Sequence, residues 1–147
     1  MNTTVSEAVE LAKGLVASLN EVPEDVKLVV APPFTNLVPV SDVISGTSIA
    51  LSSQNCADQE KGAYTGEVSA KMVKSVGCSY VILGHSERRE YYGETSEKLV
   101  KKIKLALGEG LSPIFCIGEK LQERQDNIHF DVIAAQIKEV LFELSAE

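Results

Sequence analysis

Hydrophobic residues occur along this chain in two patterns, at helical intervals and in short continuous runs, and the two patterns alternate. Between Thr4 and Asn20 the apolar positions fall at helical intervals, and Thr4 with Glu7 has the spacing of a capping box. This stretch is therefore predicted to be an amphipathic helix. Residues Lys27–Ala31 instead form a short, almost continuous apolar run, which is typical of a strand buried on both faces.

The same alternation continues through the rest of the chain. Further strands are predicted at Ile49–Ser52, Tyr80–Leu83 and Pro113–Ile117. Further helices are predicted at Asn36–Ile44, at Ser69–Ser75, from Thr95 or Ser96 to Gly108, and along the stripe Ile133, Ile137, Leu141 and Leu144. Polar stretches at Tyr91–Gly93 and Gln122–Asn127 are predicted to be a turn and a loop.

The alternating order predicts an α/β fold with parallel strands and right-handed crossovers. Periodicity alone is compatible with an open doubly wound sheet and with part of a closed (β/α) barrel. In both folds the first helix lacks a preceding strand and the last helix lacks a following one. The edge strands of such a sheet would leave apolar faces and unpaired backbone groups exposed.

One segment, Gln54–Glu67, has few apolar residues, two glycines and no period. A long irregular segment within a compact domain is usually functional. Its tip residues Ala63 and Tyr64 are apolar, which favours insertion into a partner, although the segment could also be a turn that closes on itself.

Candidate chemistry is concentrated directly after the predicted strand Tyr80–Leu83, where the apolar run stops at Gly84. Parallel α/β folds place their active sites at the carboxyl ends of strands. The four residues that follow carry a ring nitrogen, a hydroxyl, a carboxylate and a guanidinium: His85, Ser86, Glu87 and Arg88. His85 is either an acid, base or electrophile or a structural histidine, and Arg88 with Glu87 is either functional or a structural ion pair.

Three further polar side chains have simpler interpretations. Glu119 follows Gly118 at another strand end, where it either supports the site or faces solvent. Cys116 is expected to be a small buried core residue. His129 is expected to be solvated in a loop before the last helix.

Composition narrows the possible classes of protein. A chain of 147 residues with 44% hydrophobic and 24% charged residues is predicted to form one domain, 1–147. Its apolar runs are too short for a membrane span, and its polar start argues against a secretory signal, so the cytoplasm is the expected compartment. The net charge of -7 makes nucleic acid an unlikely partner, and three scattered cysteines predict reduced thiols rather than a disulfide or metal site.

Six stretches covering essentially the whole chain resemble the triosephosphate isomerase family, and the His-Ser-Glu-Arg-Arg motif is highly specific. They are Ala31–Phe34, Ser53–Cys56, Gly62–Ser69, Val81–Arg89, Cys116–Arg124 and Asp131–Gln136. The resemblance implies a (β/α)₈ barrel that interconverts dihydroxyacetone phosphate and D-glyceraldehyde 3-phosphate in glycolysis and gluconeogenesis, without a cofactor. The family is itself a standard example of a neutral histidine paired with a glutamate base.

The resemblance also implies roles for individual residues. His85 is the electrophile that polarises the substrate carbonyl, Glu87 is a supporting acid, and Ser86 lies where the open-state base rests. Thr65 matches the tip of a loop that reaches into the neighbouring subunit. A homodimer would then be held largely by Gln54–Glu67, including Gln54 and Tyr64.

Parts of the family pattern are not matched within the chain. Met1-Asn2 matches the end of the motif Asn-x-Lys-Met-Asn, which places the substrate-binding lysine before residue 1. Nothing after Glu147 supplies the sixth strand with its glutamate base, the lid or the phosphate-binding loops. The resemblance thus implies about half a barrel, strands two to five with helices one to five, and no substrate-binding residue is assigned.

An isolated chain of this kind is expected to have no meaningful isomerase activity. Two alternatives stay open: a noncatalytic half-barrel that associates with itself, and one half of a split enzyme.

Overall fold

A computed structural model describes residues 1–144, and the elements in this range alternate between helix and strand. The strands are β1 (Val29–Val30), β2 (Ala50–Ser53), β3 (Tyr80–Leu83) and β4 (Ser112–Phe115). The helices are α1 (Val5–Ala17), α2 (Leu37–Ile44), α3 (Ala70–Ser75), α4 (Ser86–Tyr91), α5 (Ser96–Gly108), α6 (Leu121–Gln125) and α7 (His129–Leu141). Two 3₁₀ helices cover Leu19–Glu21 and Phe34–Asn36.

The four strands form one parallel sheet in the order β1-β2-β3-β4, so every strand lies next to its neighbour in sequence. Each successive pair of strands is joined by a connection that contains at least one helix. This topology confirms the predicted α/β class with parallel strands.

The strand register separates an outer face of the sheet, which contacts the helices, from an inner face. Leu51, Val81 and Leu83 lie on the outer face and are fully or almost fully buried. Tyr80 and Ile82 alternate with them, lie on the inner face, and are less buried. The hydrophobic core therefore lies between the sheet and the helices, as it does outside the strands of a barrel.

The predicted capping box at the start of α1 is present. The backbone N–H of Thr4 donates to Glu7 Oε2 at 2.7 Å, and Ala8 and Ala12 on this helix are buried. Asn36, which is fully buried, donates through its amide to the Thr3 carbonyl at 3.0 Å. These contacts hold α1 against α2 beside the first strand.

Two short helices were not predicted from the sequence. Helix α4 (Ser86–Tyr91) includes a position predicted as a turn, and α6 (Leu121–Gln125) largely replaces the predicted loop. Both consist mostly of polar residues, and five or six residues are too few to show an apolar stripe. Local hydrogen bonds define them instead, such as that from the Lys120 N–H to Glu123 Oε2 at 2.6 Å.

Strand β1 is also shorter than the predicted Lys27–Ala31, because pairing extends only over Val29–Val30. Strand β4 begins one residue earlier than predicted and ends at Phe115. Within residues 1–144, no helix has the length and apolar character needed to cross a membrane.

Candidate active site

At the end of strand β3, the backbone of Gly84 lies close to the Arg89 side chain and to the Cys116 carbonyl. Gly84 has a φ of +79°, and a Cβ added there would lie 2.9 Å from Arg89 Nη2 and 3.2 Å from the Cys116 carbonyl oxygen. Glycine is the residue that tolerates both the left-handed backbone and this space. The turn at Gly84 places His85 at the carboxyl edge of the sheet.

His85 is the N-cap of α4, and its ring is held by the helix it caps. Its Nδ1 accepts a hydrogen bond from the backbone N–H of Glu87 at 3.3 Å. A nitrogen that accepts a hydrogen bond carries no proton, so the proton of the neutral ring lies on Nε2. The side chain of His85 is about half exposed, and His85 lines a cleft between the ends of β3 and β4.

Glu87 lies in the first turn of α4, where a negative charge is favoured by the helix dipole. Its Oε2 is 3.8 Å from His85 Nδ1, which is longer than a hydrogen bond, and its side chain is exposed. The two predicted catalytic residues therefore lie side by side at one helix start.

Arg88 does not form the predicted alternative pair with Glu87. Its Nε lies 3.1 Å from Glu94 Oε1, and the side chain of Glu94 is only 2% exposed. The backbone N–H of Gly84 also donates to Glu94 Oε2 at 3.3 Å. Glu94 thus holds both sides of the His85 turn, a role that sequence reasoning missed because Glu94 lies in a polar stretch without periodicity.

Lys102 completes a buried ionic cluster with Glu94 and Arg88. The Lys102 ammonium donates to Glu94 Oε1 and, at 2.8 Å, to Asn55 Oδ1. Burial alone raises the pKa of Glu94, but the hydrogen bonds and charges of Lys102 and Arg88 outweigh burial and hold that pKa below its ordinary value. The sequence analysis did not identify this cluster. The signal that could have revealed it is the position of Lys102 among the apolar positions Leu99, Ile103 and Ala106 of α5.

A second set of hydrogen bonds ties the end of β3 to the end of β4. Arg89 donates from Nε to the Gly84 carbonyl at 2.7 Å and from Nη2 to the Cys116 carbonyl at 3.0 Å. The Gln136 side chain on α7 accepts from the Gly118 N–H at 3.0 Å and donates to the Gly118 carbonyl at 2.8 Å. These contacts fix the relative positions of the two strand ends.

A cleft opens between these two strand ends, and we call it the His85 cleft. Its lining includes His85, Ser86, Cys116, Gly118 and Glu119. The carboxylate of Glu119 accepts from Arg124 Nε at 2.6 Å, so Glu119 is ion-paired where it lines the cleft. Burial raises the pKa of the Cys116 thiol, which keeps it protonated and unsuited to nucleophilic attack.

The segment Gln54–Glu67 contains no helix or strand, as predicted. Its neck is closed by the hydrogen bond from the Ala57 N–H to the Val68 carbonyl at 2.8 Å. Tyr64 and Thr65 are exposed at its tip, whereas Gln54 lies at its base and donates to the Ala31 carbonyl at 2.8 Å. Asn55 connects this base to Lys102 and hence to the His85 turn.

His129 does not lie in a solvated loop. It is the first residue of α7, and its ring centroid is 4.4 Å from that of Phe130. Its Nδ1 is buried and has no hydrogen-bond partner among residues 1–144. In the same range, no group of three or more His, Cys, Asp or Glu side chains is arranged to hold a metal ion.

Comparison with known proteins adds evidence independent of this geometry. The family model described as triosephosphate isomerase matches residues 1–147. A triosephosphate isomerase of Porphyromonas gingivalis is 51% identical over 144 residues, which are 98% of this chain and 57% of that protein. One from Bacteroides fragilis is 52% identical over 147 residues, which are all of this chain and 58% of that protein.

The fold has a close counterpart among solved structures. The crystal structure of triosephosphate isomerase from Bartonella henselae superposes with a TM-score of 0.89 at 33% sequence identity. The match covers 95% of this chain and 58% of that structure, which confirms the predicted partial barrel. The chain thus spans somewhat more than half the length of the curated relatives that it matches.

Proposed function

The chain belongs to the triosephosphate isomerase family, and on this premise we propose that the His85 cleft is part of a centre that interconverts dihydroxyacetone phosphate and D-glyceraldehyde 3-phosphate. The observation that carries the proposal is the position of His85, whose Nδ1 accepts from the Glu87 N–H, in a cleft at the carboxyl edge of a parallel sheet. We place this activity in glycolysis and gluconeogenesis and the protein in the cytoplasm.

His85 acts as a neutral electrophile in the proposed reaction. Its Nε2–H donates a hydrogen bond to the substrate carbonyl oxygen and stabilises the negative charge that develops there when a proton leaves the neighbouring carbon. The bond from the Glu87 N–H to Nδ1 keeps the ring in the required tautomer. The Glu87 carboxylate, 3.8 Å from Nδ1, is the supporting acid of the site.

The 147-residue polypeptide by itself is proposed to be inactive as an isomerase. Removal of a proton from carbon requires a base placed within reach of that carbon. Among residues 1–144, the carboxylates that line the His85 cleft are Glu90, Glu119 and Glu123. Glu119 is engaged by Arg124, Glu123 accepts from the Lys120 N–H, and the family resemblance assigns the base to none of the three. An assay of the purified polypeptide in both directions should therefore show no turnover, and turnover at ordinary enzyme rates would contradict this proposal.

A chimeric protein tests the role of His85 in a complete barrel. Residues 1–147 would replace the matching region of the Bacteroides fragilis relative, to which they are 52% identical. We expect the chimera to be active and His85→Gln to lower kcat by at least about a hundredfold. His129→Gln is the matched control, because His129 is not part of the cleft lining, and equal losses in both variants would contradict the assignment.

The segment Gln54–Glu67 is proposed to hold a homodimer, with Thr65 at the tip entering the neighbouring subunit. Its exposed tip includes Tyr64, and its neck and base are pinned by hydrogen bonds, so it projects as an ordered unit. In the chimera, the double substitution Tyr64→Asp and Thr65→Asp should convert a dimer into a monomer in sedimentation. A dimer mass that survives both substitutions would contradict this interface.

A further inference from the structure

A single glutamine side chain binds both polar backbone groups of a residue just beyond β4. Gln136 on α7 accepts through Oε1 from the Gly118 N–H at 3.0 Å and donates through Nε2 to the Gly118 carbonyl at 2.8 Å. Two residues on neighbouring antiparallel strands exchange hydrogen bonds in the same way. The reverse orientation of the amide would bring two donors together and two acceptors together, so the contact requires a side chain that has one of each.

Helix α7 presents this glutamine from a face that is anchored in the core. Val140, four residues further along the helix, lies on the same face and is fully buried. Helix α7 also packs against α5. Gln136 itself is partly buried and lines the His85 cleft. The position of the amide is therefore fixed relative to the hydrophobic core.

Hydrogen bonds, and not side-chain packing, hold the backbone on this side of the cleft. Gly118 has no side chain, and no atom of residues 1–144 other than those of its two sequence neighbours lies within 4 Å of where a Cβ would be. Two residues earlier, Arg89 Nη2 donates to the Cys116 carbonyl at 3.0 Å. The residue after Gly118 is Glu119, which lines the cleft together with His85. The position of Glu119 relative to His85 thus depends on Arg89 and on Gln136.

We propose that Gln136 is a positioning residue for the isomerisation, because it holds Gly118 and Glu119 in place beside His85. The inference rests on the proposed function of the His85 cleft. Gln136 itself transfers no proton, since an amide is neither an acid nor a base near neutral pH and both its Oε1 and its Nε2 are engaged by Gly118. Its contribution is geometric, and a small misplacement in an active site costs up to about a hundredfold in rate. In the chimera with the Bacteroides fragilis relative, Gln136→Leu should therefore lower kcat/KM roughly tenfold.

Gln136→Glu separates positioning from simple stabilisation, because pH switches the hydrogen bonding of the introduced group. As a carboxylate it accepts from the Gly118 N–H but brings a second acceptor to the Gly118 carbonyl, whereas as a carboxylic acid it restores the missing donor and mimics the amide. The restored bond favours the protonated form and should raise the pKa of the introduced carboxyl above its ordinary value of about 4.3. Relative to the unsubstituted chimera, kcat/KM should be about tenfold lower at about pH 8 and should recover at least about threefold by about pH 5.5. The corresponding ratio for Gln136→Leu should not change with pH.

Gln125→Glu is the matched control. Gln125 is exposed at the end of α6, which packs against α7, and it is not part of the cleft lining. This variant adds the same charge and should keep the pH profile of the unsubstituted chimera. The titratable and charged groups already in the lining are common to all variants and cancel in the ratio; they are His85, Arg89, Glu90, Glu119, Lys120 and Glu123. One pH profile shared by Gln136→Glu and Gln125→Glu would overturn the positioning role.

An NMR titration of the 147-residue chain tests the contact without an activity measurement. In Gln136→Glu, the backbone amide signal of Gly118 should shift with the titration of the introduced carboxyl, and this shift should be absent from the unsubstituted chain and from Gln125→Glu. A Gly118 signal with the same pH dependence in all three would overturn the inference. A chimera in which His85→Gln costs activity but Gln136→Leu costs none would overturn only the positioning role. A chimera in which His85→Gln costs nothing would overturn the proposed function and the inference with it.

Discussion

Lys102 and Asn55 are 47 residues apart in sequence, and the Lys102 ammonium donates to the Asn55 amide oxygen at 2.8 Å. The same ammonium binds Glu94, whose carboxylate accepts from the Gly84 N–H next to His85. One buried cation therefore joins the base of the irregular segment to the turn that presents the candidate electrophile. The stability of both regions should depend on it.

Replacing Lys102 by Met should lower the free energy of unfolding by about 3 kcal/mol, because removal of one partner leaves a buried charge incompletely compensated. Arg88 still contacts Glu94, which keeps the loss at the lower end of the usual range. Urea denaturation measures this difference. Lys101→Met removes an exposed charge from the same helix and should change stability by less than about 0.5 kcal/mol. Similar losses in the two variants would show that the cluster is not stabilising.

Stability should fall at acidic pH in a manner that depends on Glu94. Its pKa in the folded protein lies below the ordinary value of a glutamate, so the folded state favours the ionised carboxylate. The resulting stabilisation is present above about pH 4.5 and is lost as the pH falls through the lower folded pKa. Unfolding free energies measured against pH should show a shallower acid loss for Glu94→Gln than for the unsubstituted chain. Glu97→Gln, at an exposed position, should retain the original slope.

Gly84→Ala should destabilise the protein by about 2 kcal/mol, because the left-handed backbone is strained for alanine and the new methyl group meets Arg89 and the Cys116 carbonyl. Gly14→Ala is the opposite case. Gly14 lies within α1 with open space around it, and alanine there should stabilise by about 0.5 to 1 kcal/mol. Thermal unfolding of both variants gives the two signs, and a neutral Gly84→Ala would contradict the close approach.

Adjacent serines in β2 should respond differently to alanine. The Ser53 hydroxyl is buried and has no hydrogen-bond partner among residues 1–144, so Ser53→Ala should be neutral or stabilising by up to about 1 kcal/mol. The Ser52 hydroxyl donates to the Ser53 carbonyl at 3.0 Å, and its loss should cost about 1 kcal/mol. Denaturant midpoints of the two variants compare these effects. A larger loss for Ser53→Ala would indicate a partner for its hydroxyl.

Much of the fold could be predicted from sequence because burial imposes a period on it. Strand β3 was predicted with its observed bounds, and α5 was predicted with Thr95 as one of two possible caps. Helices α4 and α6 could not be predicted in the same way, since they are short, mostly polar and defined by local hydrogen bonds. Strand β3 and helix α5 pack against the core, and this packing leaves a hydrophobic pattern in the sequence. Helices α4 and α6 depend on hydrogen bonds at their ends, which leave no such pattern.

Part of the candidate site was predictable for a similar reason. The abrupt change from an apolar strand to Gly84 and His85 marks a strand end in the sequence itself. The tautomer of His85 could not be predicted, because it depends on the distance from Nδ1 to the Glu87 N–H. The partner of Arg88 was also outside the reach of the sequence, which offered Glu87 as the nearest carboxylate although Glu94 is the residue in contact.

The sequence by itself determined the alternation of helices and strands, the parallel sheet and the position of His85 after β3, because these depend on local periodicity and on a motif of adjacent residues. Only the tertiary structure decided that Asn55, Glu94 and Lys102 meet beneath the His85 turn. It also placed α1 against α2 and α7 against α5. Such contacts join residues far apart in the chain, and their energies depend on burial that no single stretch of sequence specifies.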